Sequence, residues 1–445
     1  MTYVELHCHS AYSFLDGASH PAELAGTAAE QGHHALALTD HDGLHGAMEM
    51  AHALKPLGIR PITGAELTLD DGTHITLLCE TREGYTNLCR IITASHWPTR
   101  RWAREGWTEG GGRQDPLDGE PSISLEALEP HAAGLVCLSG CARNGAVASH
   151  VEAGRYPEAA SAARRLLRIF GPDRFRVELQ RPFWRHDRRR NRLLAELAER
   201  LGVPTVATGN VHVHARERIA LQDAMVAVGL GKTLDETEPQ RRGNSSHVLA
   251  PPERMAERFR EHPEAVAESG RLAERLTFDL TEDLGYRYPG SEDPDADRKL
   301  AELCAAQLGE RYPRGGDAQA RLEEELRVIR HLRLSGFFLL HRDMLELARE
   351  VACEVRDGES ARRLLPPGRG RGSSVSSIVC YLTGLSHIDP IRNELCLGRF
   401  LNEELTALPD IDLDFPRDIR DVLIPRVHDR YGRDRCALVA AFSTF

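Results

Sequence analysis

Val4-Glu5-Leu6-His7-Cys8-His9 alternates apolar and polar residues, so an extended strand places Glu5, His7 and His9 on one face. Two imidazoles at i and i+2 can bind one metal ion, and Asp16 supplies a carboxylate seven residues after His9. Working outward, more residues of metal-ligand type border short apolar runs. His41, in Thr39-Asp40-His41-Asp42, follows Ala35–Leu38; Glu66 follows Ile62-Thr63-Gly64-Ala65; His74 begins the run Ile75–Leu78. Cys141 and His212 lie just past Leu135–Leu138 and Pro204–Ala207. These runs read as buried parallel strands with helical patterns between them, which implies an α/β layer or barrel. Such folds assemble their sites at the C-terminal ends of strands. Among 21 histidines a single one is ordinarily a surface or satisfied core residue, so the joint placement carries the argument for a metal site.

Two later stretches carry a different chemistry. In Pro409-Asp410-Ile411-Asp412-Leu413-Asp414-Phe415, period 2 puts Asp410, Asp412 and Asp414 on one face and the apolar residues on the other. Carboxylates stacked in this way call for cations, and two Mg²⁺ ions roughly 4 Å apart can clamp the oxygens of an in-line displacement on phosphorus. Gly370-Arg371-Gly372-Ser373-Ser374-Val375-Ser376-Ser377 precedes Ile378-Val379-Cys380-Tyr381-Leu382 and reads as a loop entering a helix whose N–H groups face a triphosphate. The plainer alternatives are an acidic surface turn and a flexible linker.

At 445 residues the chain is long enough for two or three domains at roughly 150 residues each. With 41% apolar and 28% charged residues it has the composition of a globular protein, and no apolar run approaches the ~18 residues a bilayer span needs. Met1–His7 lacks a basic segment followed by an apolar core, so a cytosolic protein with no membrane association is expected. Ten cysteines without a CxxC pair point to reduced thiols. A net charge of −11 excludes a globally basic nucleic-acid binder but not local arginine patches, of which there are two. Arg185, Arg188, Arg189, Arg190 and Arg192 begin a helical pattern and are expected to solvate its outer face, whereas Arg362, Arg363, Arg369 and Arg371 lead into the Gly-rich stretch, where cations meet phosphate.

Residues 1–215 are expected to form the metal-binding α/β domain, 216–290 a helical extension of it, and 291–445 a separate domain beyond the turn-rich Tyr286–Asp295. Trp97–Pro121 reads as an exposed insertion, Thr233–Ser246 as a loop among helices, and Arg356–Pro367 as a polar connector.

His7-Cys8-His9-Ser10, Thr39-Asp40-His41, Gly64-Ala65-Glu66, His74 with Glu83-Gly84-Tyr85, Leu138-Ser139-Gly140-Cys141 and Val211-His212 resemble the successive motifs of the polymerase and histidinol phosphatase (PHP) domain. Gly370–Ser373, Asp389-Pro390, Gly398-Arg399-Phe400-Leu401-Asn402 and Pro409–Phe415 resemble, in order, the palm of bacterial C-family DNA polymerase alpha subunits. The stretch from Arg216, with Leu221-Gln222-Asp223, is similar to the error-prone type. This resemblance implies a distorted (β/α) barrel PHP domain, a helical segment and a partial, polymerase β-like nucleotidyltransferase palm. It implies that His7, His9, Asp16, His41, Glu66, His74, Cys141 and His212 ligate two or three Zn²⁺ or Mn²⁺ ions, with Asp40 orienting His41 from behind. It implies that Asp412 and Asp414, with Asp410 beside them, hold two Mg²⁺ ions, and that Arg371, Gly372, Ser373 and Arg399 hold the incoming triphosphate.

The implied function is error-prone DNA synthesis in damage tolerance, with primer-template DNA and deoxynucleoside triphosphates as substrates. Sliding-clamp and damage-tolerance partners would be reached only through regions absent from this chain. Three departures bear on it. Asn210, in Gly209-Asn210-Val211-His212, stands where the family often has an aspartate; the link Arg356–Gly368 is long; and the chain stops at the apolar run Cys436–Phe445, before a third palm carboxylate, so the piece itself is expected to be inactive in polymerisation. The alternatives are a 3′–5′ exonuclease acting through the PHP cluster and a purely structural metal module.

Overall fold

The computed structural model describes residues 3–97, 120–282, 288, 290–313, 316–356, 368–402, 409–432 and 435–437. Most of the expected Trp97–Pro121 insertion and Arg356–Pro367 connector, and nearly all of the closing run Cys436–Phe445, lie outside them. The chain divides into two compact units near residue 285.

The first unit is built on six strands: β1 Ala35–Leu38, β2 Arg60–Thr68, β3 His74–Cys79, β4 Leu135–Leu138, β5 Phe175–Gln180 and β6 Thr205–Thr208, paired in that order. The four-residue strands β1, β4 and β6 are buried throughout, which is why they read as continuous apolar runs. The N-terminal segment closes the sheet. On one side the Ala37 amide donates to the Glu5 carbonyl and Thr39 to Cys8; on the other His9 donates to Val211 and Val211 to His7. Both edges of the sheet thus meet the same segment, giving a barrel.

One strand runs against expectation. β3 is antiparallel to both β2 and β4, whereas β1–β2, β4–β5 and β5–β6 are parallel. The cause is the short link Leu69–Thr73, where the Leu69 amide bonds the Thr73 carbonyl at 2.7 Å. Five residues can reverse a chain but cannot make a parallel crossover. The reversal is useful, because His74 at the start of β3 then lies at the rim where the parallel strands end.

Helices Arg82–His96, Tyr156–Phe170 and Asp187–Leu201 cover the outside of the sheet and share its largest apolar cluster. In the last of these Arg190 is not a solvated surface residue: its guanidinium is 1% exposed and meets Asp187 at 2.6 Å and Glu152 at 3.3 Å. Helix Pro263–Arg275 packs Leu272 and Ala273 with Ala37, Ile62, Leu78 and Val206. Its Glu268 pairs with Arg176 of β5 at 2.7 Å, and its Ser269 hydroxyl accepts from the Val4 amide.

The second unit contains helices Ala296–Arg311, Asp317–His331, Ser335–Val355, Ile378–Leu382 and Arg417–Tyr431. A two-stranded ladder joins β7 Arg369–Arg371 to β8 Asp412–Asp414, antiparallel, with Arg371 opposite Asp412 and Arg369 opposite Asp414. Among the described residues no helix is long and apolar enough to cross a membrane. Among the described residues no cysteine forms a disulfide.

Candidate metal centre and carboxylate strand

The rim of the barrel gathers side chains from distant positions by backbone pairing. A parallel bridge between His41 and Glu66 continues the β1–β2 register three residues past the end of β1. Asp42, at φ 47°, locks that register by accepting from the Thr68 amide and hydroxyl at 2.9 and 2.8 Å. Beyond β4, Gly140 takes φ 91°, and a Cβ there would stand 2.0 Å from the His74 carbonyl, so only glycine lets the Cys141 loop close on His74.

Glu66 is the hub. Its Oε2 lies 3.3 Å from His7 Nε2, 3.2 Å from His9 Nε2 and 3.5 Å from His41 Nε2, while Oε1 lies 3.6 Å from His74 Nδ1. His7 and His9 present their Nε2 atoms to each other at 3.1 Å. Asp16 Oδ2 reaches His41 Nε2 at 3.3 Å and His212 Nε2 at 2.9 Å. Three sets, His7/His9/Glu66, His41/Glu66/His74 and His9/His41/His212, each bring their donor atoms within 4.8 Å of one another. Cys141 adjoins His74 and accepts from the Asn144 amide at 3.3 Å.

The supporting hydrogen bonds fix the tautomers. Ser13 donates to Asp40 and accepts from the His41 amide, so at 3.1 Å it also accepts from His9 Nδ1, leaving His9 Nε2 as a lone pair toward Glu66. Asp40 also takes the Ser10 amide and hydroxyl, and therefore positions His9 rather than the His41 ring. His7 Nδ1 donates to Glu178 Oε1 at 2.7 Å, and His212 Nδ1 donates to the Asn210 carbonyl at 2.9 Å, which again frees Nε2. Glu178, which also accepts from Thr208 and Gln180, escaped sequence reasoning. The alternation Arg176-Val177-Glu178-Leu179-Gln180 was the available signal.

Burial holds the His9 imidazole neutral, down at about 3. Burial also opposes charge on His74, but Cys141 and Glu66 outweigh it and lift His74 to about 10. The Glu66 carboxyl, despite its burial, is held well below the usual range by His7 and His41. Buried oxygens Glu66 Oε1, Glu178 Oε2 and Asn210 Oδ1 have no hydrogen-bond partner. A neutral His9 with its lone pair turned inward, an ionised Glu66 carboxylate and orphaned buried oxygens in one cluster are what divalent metal ions satisfy, so these residues fit a metal centre.

One pole of the cluster already holds a cation. Arg242 Nη2 lies 2.8 Å from both oxygens of Asp16 and also contacts His212 Nε2. Burial raises and Arg242 then lowers the Asp16 carboxyl, leaving it well below the usual range.

In the second unit β8 places Asp412 and Asp414 on one face, and Ile411, Leu413 and Phe415 pack in or against the core. Arg371 spans both carboxylates, with Nη1 3.5 Å from Asp412 and Nε 3.1 Å from Asp414, all at the surface. Gly372 and Ser373 are exposed beside it, and Arg399 ends the turn Leu397–Arg399. Asp410 is exposed, and among the described residues the three aspartates do not converge within 4.8 Å as the rim residues do. The helix after the Gly-rich stretch differs from expectation. The Ile378 and Val379 amides and the Ser377 hydroxyl donate to Glu325, at 3.0, 3.2 and 2.7 Å, and Arg321 pairs with the same carboxylate at 2.9 Å. A fully buried side chain from helix Asp317–His331 thus caps this terminus, and those amides are not free for phosphate.

The PHP domain family matches residues 5–182, the stretch that holds the sheet and most of its rim. The family described as bacterial DNA polymerase III alpha NTPase domain matches residues 298–445. The error-prone DNA polymerase of Symbiobacterium thermophilum is 39% identical over all of this chain and 40% of its own length. That of Mycobacterium bovis is 37% identical over all of this chain and 40% of its own. A solved amidohydrolase from Chromobacterium violaceum overlays 47% of this chain and 87% of its own at 22% identity, with a TM-score of 0.30. The chain thus carries a region matched to the PHP domain family followed by one matched to the bacterial DNA polymerase III alpha NTPase domain family, and spans about 40% of the length of these curated relatives.

Proposed function

We propose that this chain is the N-terminal part of an error-prone DNA polymerase that extends a primer on template DNA from deoxynucleoside triphosphates during damage tolerance. The observation that carries this reading is the β7–β8 ladder, which sets Arg371 against Asp412 and Asp414 on an exposed face of the unit matched to the polymerase family. Asp412 and Asp414, with Asp410 nearby, would hold Mg²⁺, which when bound supplies charge stabilisation to the phosphorus under attack. Arg371 would exchange these carboxylates for triphosphate oxygens. Exposed ion pairs are worth only about 0–1 kcal/mol, so the exchange costs little. Gly372 and Ser373 flank the same face, and Arg399 completes the proposed phosphate contacts. Residues 1–215 and 216–290 would form the PHP domain and its helical extension, and 291–445 the palm; the division near residue 285 supports this. Primer extension by the longer protein carrying this chain, beside an Asp412→Asn/Asp414→Asn variant, tests the reading: extension should be lost in the variant, and retention would reject the assignment.

A second reading has its own observation. The donors around Glu66 favour Zn²⁺ or Mn²⁺ at the PHP rim and with it a 3′–5′ exonuclease. There His7, His9, Asp16, His41, Glu66, His74, Cys141 and His212 hold the ions, and Asp40 and Glu178 orient His9 and His7. Hydrolysis of a 3′-labelled single strand with Mn²⁺, lost in His9→Ala, would support it; metal binding without hydrolysis would make the centre structural.

A further inference from the structure

Just past β5 the chain turns at Arg181-Pro182-Phe183, and Phe183 adopts φ 60° with 59% of its surface exposed. A bulky residue in the left-handed region is strained, and exposing the ring recovers none of that strain by burial. The conformation is held from outside: the Pro182 carbonyl accepts from Asn244 Nδ2 at 2.7 Å and from the Ser246 hydroxyl at 2.9 Å. Arg181 and Arg258 place their guanidinium carbons 5.6 and 5.2 Å from the Phe183 ring centre.

The ring lies in the wall of a cleft of about 930 Å³ whose other cationic lining is Arg181, Arg216, Arg254, Arg258 and Arg260. Among the described residues none of these five guanidinium groups has a carboxylate within 4 Å, although Glu30 and Glu257 also line the cleft. Elsewhere on this chain arginines are commonly ion-paired; here Arg181 and Arg258 donate only to the Arg258 and Ser246 carbonyls, and five guanidinium groups without a carboxylate partner form a local excess of positive charge in a protein of net charge −11. The cleft is continuous along the chain with the metal rim: His214 follows His212 by two residues, and Asn244 follows Arg242 by two.

We propose that this cleft binds single-stranded nucleic acid, with an unpaired base stacked on Phe183 and backbone phosphates paired with Arg216, Arg254 and Arg260. An exposed aromatic face among guanidinium groups matches a π-face bordered by phosphodiester charge, and only an unpaired base offers that face. A duplex would engage the arginines but not the ring. The inference concerns a binding surface and holds whether or not the rim hydrolyses what is bound.

The test is fluorescence anisotropy with a labelled single-stranded oligodeoxynucleotide about 12 nucleotides long, within the span of known single-strand grooves, beside a duplex of the same sequence. The single strand should bind more tightly than the duplex. Phe183→Ala should weaken it by roughly 5- to 150-fold, from a stacking contribution of ~1–3 kcal/mol, while Phe183→Trp retains binding. Arg254→Ala and Arg260→Ala should each reduce the slope of log affinity against log salt by about 0.7. A photo-crosslink from 4-thiothymidine should map to the peptide holding Phe183, which separates this cleft from any other DNA-binding surface of the chain. Equal affinity for duplex, Phe183→Ala binding within about twofold of wild type, or crosslinks confined to other peptides would each overturn the proposal.

Discussion

Replacing Arg242 with alanine removes the cation that occupies Asp16 and His212, and metal-stripped protein should then bind Mn²⁺ more tightly. The guanidinium makes two 2.8 Å charge-assisted contacts to Asp16, and the side chains are 12% and 25% exposed. Hydrogen bonds to charged groups contribute about 1.5–3 kcal/mol each, toward the lower end where water reaches them, and the two are not additive. An ion drawing on the same oxygens must displace them. The variant should therefore gain about 1.5–3 kcal/mol, a ~10- to 100-fold tighter dissociation constant at that pole. Calorimetric titration of Mn²⁺ into the stripped chain, with bound metal counted by elemental analysis, reads both affinity and stoichiometry. His9→Ala, which takes a donor from two of the three sets, marks the binding as belonging to the rim. An unchanged or weaker affinity in Arg242→Ala would refute the competition and make the arginine a support for its neighbours.

Glu325→Ala leaves two amides, a hydroxyl and Arg321 without their buried acceptor, and breaking such a buried charge pair costs about 3–5 kcal/mol. Scanning calorimetry should show the second unit melting markedly earlier while the first is unmoved, and Glu325→Gln should lose less. Gly140→Ala forces a Cβ against the His74 carbonyl at φ 91°; it should destabilise the first unit by about 1–3 kcal/mol in urea and weaken metal binding with it. Asp389 accepts from the Tyr312 hydroxyl at 2.5 Å and from the Ile391 and Arg392 amides; burial raises its carboxyl, but these bonds outweigh burial and lower it. A depressed carboxylate contributes stability that is fully present above its unfolded value near 3.9 and is lost as pH falls through the folded value. Asp389→Asn should thus be less stable than wild type at pH 7, with the gap closing as the pH is taken below about 4, as read by denaturant melts; a gap independent of pH would contradict this.

The parts of the fold that were legible in the sequence are those in which local pattern and tertiary environment agree. The alternation Glu5-His7-His9 survives because that segment is a strand with one face on the rim, and β1, β4 and β6 are apolar because both their faces are buried. β5 was not read as a strand because its inward residues are Arg176, Glu178 and Gln180, which serve Glu268, His7 and Asn210 instead of an apolar core. The reversal of β3 is set by the length of a turn rather than by the composition of the strand. Arg242 meets Asp16 across 226 residues, and no local signal announces such a contact. Likewise the amides of the helix after the Gly-rich stretch look free for phosphate because nothing near them in sequence shows that Glu325 already caps that helix.

If the carboxylate strand is a nucleotide site, the chain binds a deoxynucleoside triphosphate in a Mg²⁺-dependent way. Equilibrium binding of a fluorescent analogue to the wild-type chain and to Asp412→Asn/Asp414→Asn, with and without Mg²⁺, is the measurement. Binding should require Mg²⁺ and be lost in the double variant. Binding unaltered by the two substitutions, or indifferent to Mg²⁺, would contradict it.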